Sequence, residues 1–171
     1  MTQITNTERL SIRKFREGDE SFIFELLNSP GWLKFIGDRN IKNLDDAKGY
    51  IINGPLLSYN KFGYGPYLVA LNDSGIPIGM CSLIKRDELE DVDLGFAFLD
   101  QHSGKAYAYE ASLKMIEYAR EELHLRKLAA ITNTSNTRSI RLLEKLGFNL
   151  SGKIKMSGEE EELLHFQCTL A

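Results

Sequence analysis

The spacing of hydrophobic residues changes several times along the chain, and each change predicts a new element. In Glu8–Phe15 apolar and polar residues alternate, which is typical of a half-buried strand. In Glu17–Asn28 apolar residues recur three and four apart, which predicts an amphipathic helix. A second helix is predicted to begin after Asn43, a residue type that favours the N-cap, and to kink at Gly54-Pro55.

The middle of the chain has the pattern of three consecutive strands. Tyr67–Leu71 and Ile76–Ile84 are separated by a short segment rich in turn-forming residues, which predicts a hairpin. A charged turn follows, and in Asp91–Leu99 apolar residues again occupy every second position. These segments therefore predict three antiparallel strands.

The last part of the chain returns to alternating helices and strands. A long helix is predicted from Lys105 to about Leu123, then a buried strand at Leu128–Ile131 and a short helix at Asn136–Leu146. Gly147 and Phe148 follow that helix in the arrangement of a Schellman cap. A final hairpin is expected from two further strand-like runs, Phe148–Met156 and Leu163–Leu170.

The element order β-α-α-β-β-β-α-β-α-β-β indicates the fold class. An antiparallel run followed by a β-α-β crossover predicts an α/β (α+β) fold with a mixed, mostly antiparallel twisted sheet of about seven strands and helices on both faces. A length of 171 residues fits one domain, and a hydrophobic content of 43% is sufficient for a core. We therefore expect a single domain over residues 1–171.

Charge and composition exclude several classes of function. The net charge of -3 and the absence of a Lys/Arg run argue against nucleic-acid binding. No apolar stretch has the length of a membrane span, and the N-terminal residues lack a signal-peptide pattern, so we expect a cytoplasmic protein. Cys81 and Cys168 lie in strand-like runs without metal-ligand spacing, which favours reduced core thiols and no metal site.

The junction after Asp91–Leu99 has features of an anion site. A polar turn ends at Gly104, and a helical pattern begins at Lys105. Successive backbone N–H groups at such a junction point towards one place, at the positive end of the helix dipole. Gly104 allows a bulky anion to approach the main chain, and the small side chain of Ala106 leaves the first turn uncrowded.

Two segments of the sequence carry a resemblance to a known family. Gln101-x-x-Gly104-x-Ala106 resembles the pyrophosphate-binding signature of the GNAT superfamily of acetyl-coenzyme A-dependent N-acyltransferases. The segment from Asn136 to Phe148 is similar to one typical of the branch that includes the ribosomal-protein N-terminal (RimJ/RimL-like) acetyltransferases. The predicted order of elements is similar to the GNAT fold over nearly the whole chain.

The resemblance implies a site for acetyl-CoA as co-substrate. In the family, the pantetheine arm lies between two parallel strands that diverge, which here correspond to Asp91–Leu99 and Leu128–Thr132. The resemblance assigns the thioester end of the arm to strand residues, the pyrophosphate to the turn, and a further contact to an asparagine. The implied cofactor-binding residues are Phe96, Ala97, Phe98, Gln101, His102, Ser103, Gly104, Lys105, Ala106, Tyr107, Asn136 and Ser139.

The resemblance also implies two catalytic residues. Asp93 occupies a position where the family often has a Glu that takes the proton of the amine, commonly through water. Strand alternation places it opposite Val92 and Leu94, and the alternative is that Asp93 is a surface carboxylate. Ser139 corresponds to the proposed proton donor to the thiolate. Ser139 and Asn136 have the alternative role of organising the helix N-terminus.

Two classes of function remain open from the sequence. The first is an acetyl-CoA-dependent N-acetyltransferase that moves an acetyl group to a primary amine, either a protein N-terminus or a small molecule, by direct attack in a ternary complex. The second is a non-catalytic CoA-binding sensor, because the carboxylate is Asp and because Leu143 stands where many members have a catalytic Tyr. A nucleotide-binding role is disfavoured because Walker-type spacing is absent. A monomer or a homodimer is expected.

Overall fold

A twisted sheet of eight strands crosses the described part of the chain, residues 3–171 of a computed structural model. The strands are β1 Gln3–Asn6, β2 Leu10–Lys14, β3 Pro66–Leu71, β4 Pro77–Ile84, β5 Val92–Phe98, β6 Lys127–Thr132, β7 Asn149–Lys155 and β8 Glu162–Thr169. Their order in the sheet is β1-β2-β3-β4-β5-β6-β8-β7, and all neighbours are antiparallel except β5 and β6. The predicted mixed sheet is thereby confirmed, with β1 as a strand beyond the predicted seven.

Six α-helices lie between these strands. They are α1 Glu20–Leu27, α2 Pro30–Phe35, α3 Leu44–Ile51, α4 Leu57–Phe62, α5 Tyr107–Glu121 and α6 Thr137–Lys145. Asn43 caps α3 as predicted, because its Oδ1 accepts a hydrogen bond from the backbone N–H of Asp46 at 2.8 Å. The predicted kink at Gly54-Pro55 is a π-helical segment, Ile52–Leu56, that joins α3 to α4.

The helices cover both faces of the sheet, and each face has its own core. On one face, α5 and α6 contribute Ala111, Met115 and Leu143, which pack with strand residues such as Leu94. On the other face, α1, α2 and α3 pack on the central strands; the buried residues there include Ile23, Leu26, Trp32, Ala47, Ile51, Leu68 and Met80. Because residues of one strand alternate between the two cores, both faces of the central strands are covered.

The C-terminal end of α6 confirms the predicted cap. The N–H of Phe148 donates to the carbonyl of Leu143 at 2.9 Å, and the N–H of Gly147 donates to the carbonyl of Glu144 at 3.0 Å. Gly147 has a φ of 95°, the left-handed conformation that glycine adopts at low cost. These two bonds form a Schellman motif, which fixes the direction from α6 into β7.

The described residues contain neither a membrane-length apolar helix nor a disulfide. Within residues 3–171, no helix combines the length and the hydropathy needed to cross a bilayer. Both cysteines are free, and burial raises the pKa of the Cys81 thiol to about 12, so this thiol stays protonated at neutral pH. Cys168 is partly exposed.

Candidate active site

β5 and β6 begin as a parallel pair and then separate. Residue pairing is limited to Val92 with Leu128 and Asp93 with Ala129. Beyond this point β5 stays bonded to β4 as far as Phe98, and β6 stays bonded to β8 as far as Thr132. A gap therefore opens between two strands that are each held from the outer side, and an extended ligand could enter it like an added strand.

A cavity of about 1130 Å³ occupies this gap and extends to the turn after β5 and to α2. Most of the residues predicted to bind a cofactor or to catalyse lie along it, although they come from three separate parts of the chain. Those that line the cavity are Asp93, Phe96, Ala97, Phe98, His102, Ser103, Gly104, Ala106, Tyr107, Asn136 and Ser139. Gln101 and Lys105 do not line it, and the fold does not bring their side chains into this set.

Phe98 is accommodated by a glycine in the neighbouring strand. Phe98 stands opposite Gly79 in the β4–β5 ladder, and a Cβ atom on Gly79 would overlap the ring of Phe98. The glycine thus allows the ring to lie flat against β4 at the end of β5.

The turn between β5 and α5 leaves several backbone donors without acceptors. A 3₁₀ turn at Asp100–His102 follows the strand, and the N–H groups of His102 and Ser103 donate to the carbonyls of Leu99 and Asp100. Within residues 3–171, none of the N–H groups of residues 104 to 109 donates a hydrogen bond, and no side chain caps α5. The positive end of a 15-residue helix therefore presents unpaired donors beside the cavity.

Two residues of this turn have left-handed backbone conformations. Gly104 has a φ of 80°, and Ala106, the N-cap residue of α5, has φ 62° and ψ 21°. An alanine adopts this conformation only at a cost, because its Cβ approaches the following carbonyl. The helix was predicted to begin at Lys105, but it begins at Tyr107 because Ala106 is not helical. The combination of Gly104 and Ala106 shapes a concave backbone surface suited to an anion.

Asp93 is buried, so the interpretation as a surface carboxylate is wrong. Its side chain is 3% exposed because the face of β5 opposite Val92 and Leu94 is also covered. Its Oδ2 accepts a hydrogen bond from Nε of Arg86 at 2.7 Å, whereas its Oδ1 has no hydrogen-bond partner within residues 3–171.

The position of Asp93 changes its ionisation. Burial raises the pKa of Asp93 to about 6, and the charge and hydrogen bond of Arg86 oppose this rise. The backbone N–H of Ile131 also lowers the pKa, although by less than Arg86 does. At neutral pH the carboxylate is therefore mostly ionised but accepts a proton more readily than an exposed aspartate.

Arg86 is a residue of the candidate site that sequence reasoning missed. It lies in the charged turn before β5, which has the composition of a solvated loop. The register of the hairpin contains the missing signal: Ile84 stands opposite Asp93, so Arg86 lies just beyond it on the same side. The register itself could not be predicted, because the sequence pattern does not fix the exact ends of the two strands.

The far end of the cavity is lined by helix residues and by residues of the β4–β5 hairpin. Trp32, Phe35 and Arg39 lie there with Tyr50, and the indole Nε1 of Trp32 has no hydrogen-bond partner within residues 3–171. Burial raises the pKa of Tyr50, and the charges of Arg39 and Arg86 partly oppose this rise. The opening therefore has aromatic walls and carries charged groups.

The second junction, between β6 and α6, is built on a side-chain cap. Oδ1 of Asn136 accepts a hydrogen bond from the N–H of Ser139 at 3.2 Å, which confirms the capping role. Within the described chain, the amide nitrogen of Asn136 and the hydroxyl of Ser139 make no hydrogen bond, and both residues line the cavity. Capping therefore leaves these two groups available to a ligand.

Comparisons with known proteins all indicate the same family. The family model described as an acetyltransferase (GNAT) domain matches residues 9–149. YnaD of Bacillus subtilis (strain 168), an uncharacterized N-acetyltransferase, is 27% identical over 149 residues, which span 87% of this chain and 84% of YnaD.

Two solved structures share the fold at low sequence identity. RimL, a ribosomal L7/L12 alpha-N-protein acetyltransferase in complex with coenzyme A, has a TM-score of 0.83 at 13% identity over 98% of both chains. The spermidine N-acetyltransferase from Vibrio cholerae, in complex with CoA and spermine, has a TM-score of 0.78 at 17% identity over 96% of this chain and 97% of that one. Since the family model spans most of the sequence, the chain belongs to the GNAT acetyltransferases.

Proposed function

We propose that this protein transfers the acetyl group of acetyl-CoA to a primary amine, either a protein N-terminus or a small-molecule amine, by direct attack in a ternary complex. The observation that carries the proposal is that two diverging strands and a set of unpaired N–H groups at the start of α5 border the same cavity. RimL acts on a protein N-terminus and the Vibrio cholerae enzyme on spermidine, so proteins of this fold differ widely in the acceptor that they use.

The residues present fit coenzyme A. The edges of β5 and β6 offer backbone groups to the amides of a pantetheine arm, chiefly those of Phe96, Ala97 and Phe98. The unpaired N–H groups from Gly104 to Tyr107 match a pyrophosphate, and Lys105 adds positive charge nearby. When bound, acetyl-CoA supplies the acetyl group as an activated thioester.

Asp93 would act on the acceptor amine. An amine must be neutral to attack a carbonyl carbon, and both peptide N-termini and aliphatic amines are mostly protonated at neutral pH. Asp93 would take the proton through a water molecule, because its short side chain is buried where β5 and β6 separate. Arg86 would hold Oδ2 in place and leave Oδ1 to face the proton donor.

Ser139 would act on the departing sulfur. As the new C–N bond forms, the C–S bond breaks, the electron pair goes to the sulfur, and the nitrogen releases its surplus proton to solvent. The hydroxyl of Ser139 would donate a proton to this thiolate and regain one from solvent. The free amide nitrogen of Asn136 would donate to the pantetheine arm while its Oδ1 caps α6. Asp93, Arg86, Ser139 and Asn136 thus have separate tasks in one reaction.

The acceptor would enter from the end of the cavity lined by α2. Trp32, Phe35 and Tyr50 provide apolar surface there, and the cavity is continuous from this end to the start of α5. A volume of about 1130 Å³ exceeds that of most single drug-sized pockets. This size favours two substrates bound at once, as a ternary complex requires.

Two measurements, made one after the other, test the proposal. Acetyl-CoA should raise the thermal unfolding midpoint in a concentration-dependent way, since a ligand that binds only the folded state stabilises it. Release of free thiol from acetyl-CoA should then depend on an added amine, measured with a panel of peptides with free N-termini, polyamines and amino acids. No shift with acetyl-CoA would contradict the site itself.

A CoA-binding sensor is the second candidate. The ion pair between Asp93 and Arg86 favours it, because a carboxylate already bound to a guanidinium is a weaker proton acceptor. A clear thermal shift with acetyl-CoA, with no thiol release for any amine of the panel, would select the sensor. Amine-dependent release above the hydrolysis background would exclude it.

A further inference from the structure

Arg9 connects the loop between β1 and β2 to the start of α5. Its Nε donates to Oε2 of Glu110 at 2.7 Å, and its backbone N–H donates to Oε1 of the same carboxylate at 3.1 Å. Its Nη2 donates to the carbonyl of Lys105 at 3.0 Å, and the guanidinium lies 4.5 Å from the ring centre of Tyr107. One side chain thus contacts three residues in and beside the turn that we assign to the pyrophosphate.

Arg9 is itself held in place by other parts of the fold. The backbone N–H of Asn72 donates to the carbonyl of Arg9 at 2.8 Å, and its side-chain amide donates to the carbonyl of Thr7 at 2.9 Å. Burial would raise the pKa of Glu110, but bonds from Thr7 and Arg9 outweigh it and lower the pKa. Glu110 therefore remains ionised and keeps the guanidinium in one orientation.

The bond to Lys105 orients the next peptide group. The peptide between Lys105 and Ala106 is trans, so its C=O and its N–H point in opposite directions. Arg9 holds the carbonyl, and Lys105 does not line the cavity whereas Ala106 does. With the carbonyl bound to Arg9, the N–H of Ala106 points away from Arg9, where a pyrophosphate oxygen in the cavity would accept it.

This orientation needs support because Ala106 is left-handed. Its φ of 62° is unfavourable for a residue with a Cβ, and no side chain caps α5 to hold the turn. Rotation of the peptide would relieve the conformation and turn the N–H away from the anion. The hydrogen bond from Arg9 opposes that rotation.

We propose that Arg9 is a positioning residue for coenzyme A: it holds the Lys105–Ala106 peptide so that the N–H of Ala106 faces the pyrophosphate, without contacting the reacting atoms. The inference rests on the proposed function. It predicts that Arg9 matters for a co-substrate that carries a pyrophosphate and not for one that lacks it.

The test compares Arg9→Met with wild type on two acetyl donors. With acetyl-CoA, we expect KM and the Kd of CoA to rise about tenfold, whereas kcat at saturation stays within about twofold, since a tenfold change matches the loss of a single charge-assisted hydrogen bond. With S-acetylpantetheine, which has no pyrophosphate, kcat/KM should be unchanged. Equal loss with both donors, or loss with neither, would overturn the proposal.

Two further variants separate positioning from a general effect on folding. Arg120 is matched to Arg9, because its side chain is 43% exposed against 42% and it also pairs with a glutamate on α5. Arg120→Met should leave the Kd of CoA unchanged. Ala106→Gly added to Arg9→Met should recover part of the affinity, because glycine adopts the left-handed conformation without the steric cost. No recovery in this double variant would overturn the proposed role of the peptide.

Arg9→Lys covers the case in which Arg9→Met does not fold. Lysine keeps the charge but cannot bond to Glu110 and the Lys105 carbonyl with a planar fork, so affinity for CoA should fall by a smaller factor. If Arg9→Lys binds CoA as tightly as wild type, the inference about Arg9 is overturned and the proposed function is not. Absence of CoA binding by wild type would overturn the proposed function and, with it, this inference.

Discussion

The two strand-to-helix junctions that border the cavity share a topology but satisfy their helix N-termini differently. At the β5–α5 junction no side chain caps the helix, and the N–H groups of residues 104 to 109 have no acceptor within residues 3–171. At the β6–α6 junction Asn136 accepts from the N–H of Ser139. An uncapped N-terminus is available to an external anion, whereas a capped one offers its side chains. In the proposed function, the first junction would therefore hold the phosphates, and the second would contact the pantetheine arm and the sulfur.

The largest effect is expected at Asp93, where β5 and β6 begin to diverge. Asp93→Asn should lower kcat/KM for the amine on the order of 10²-fold at pH 7, the size typical for loss of a general base. In wild type the base must be ionised, so the rate should fall as the pH drops below about 6, the pKa of Asp93. A pH–rate profile from about pH 5 to about pH 8.5 checks this. If the rate of the variant shows the same decrease below about pH 6 as wild type, Asp93 is not the base.

The stability of the same variant provides a control for its fold. Burial raises the folded-state pKa of Asp93 above its ordinary value of 3.8. The stability that Asp93 contributes is therefore fully present below pH 3.8 and is lost as the pH rises through about 6. Asp93→Asn should therefore gain on the order of 1–3 kcal/mol relative to wild type between about pH 4 and about pH 7.5. Urea unfolding at the two pH values measures this difference. The substitution leaves the Arg86 guanidinium without a charged partner, but the Arg86 side chain is 34% exposed and can be hydrated instead.

A matched pair of glycine substitutions sharpens the comparison. Gly104 and Gly147 both have left-handed backbones, with φ of 80° and 95°, and an added Cβ would meet no atom within 4 Å at either position. Gly104→Ala and Gly147→Ala should each cost about 1 kcal/mol from conformational strain. Gly104→Ala should also weaken CoA binding about tenfold, because the N–H groups of the turn are no longer aligned. Equal CoA affinity in the two variants would contradict the assignment of the turn.

Substitution of Asn136 separates capping from ligand contact. Asn136→Ala should lower the unfolding free energy by about 1 kcal/mol and also raise KM for acetyl-CoA, since it loses the cap and the amide donor. Asn136→Asp keeps a capping oxygen but loses the donor, so only KM should rise, by about fivefold, near the value for one hydrogen bond. Thermal unfolding and steady-state kinetics on both variants test this. An unchanged KM in Asn136→Asp would leave Asn136 as a cap alone.

The smallest effect is expected for Ser139. A thiolate is a good leaving group, so a proton donor accelerates its departure only modestly, and Ser139→Ala should lower kcat by roughly threefold to tenfold with KM for acetyl-CoA unchanged. Ser139→Cys, which keeps a proton donor of similar size, should recover part of kcat. A kcat equal to wild type in Ser139→Ala would assign Ser139 to the structure of α6 only.

Features that depend on neighbours in sequence were predicted well. The caps at Asn43 and at Gly147 with Phe148 involve residues three to five apart, so their side-chain types alone indicate them. The turn ending at Gly104 was found in the same way. The start of α5 was placed two residues early, because the sequence pattern does not reveal that Ala106 is left-handed. The strand β1 was missed because four residues are too few to establish alternation.

Features that depend on residues far apart in the chain could not be predicted from the sequence. The burial of Asp93 arises from helices packed on the second face of the sheet, and its bond to Arg86 depends on the hairpin register. The contact of Arg9 with Glu110 joins residues 101 positions apart. No local pattern encodes such contacts, because they form only when separate elements pack together.

By itself, the sequence determined most of the order of elements, the ends of several helices and the family to which the chain belongs. The elements and the helix ends follow from short-range spacing of apolar, capping and turn residues, whereas the family follows from the resemblance of two motifs and from the family model that matches residues 9–149. Only the tertiary structure decided which groups remain without partners within residues 3–171: the N–H groups of the turn, Oδ1 of Asp93 and the amide nitrogen of Asn136. A donor or acceptor is free or paired according to what the whole fold places beside it, and that is a property of packing.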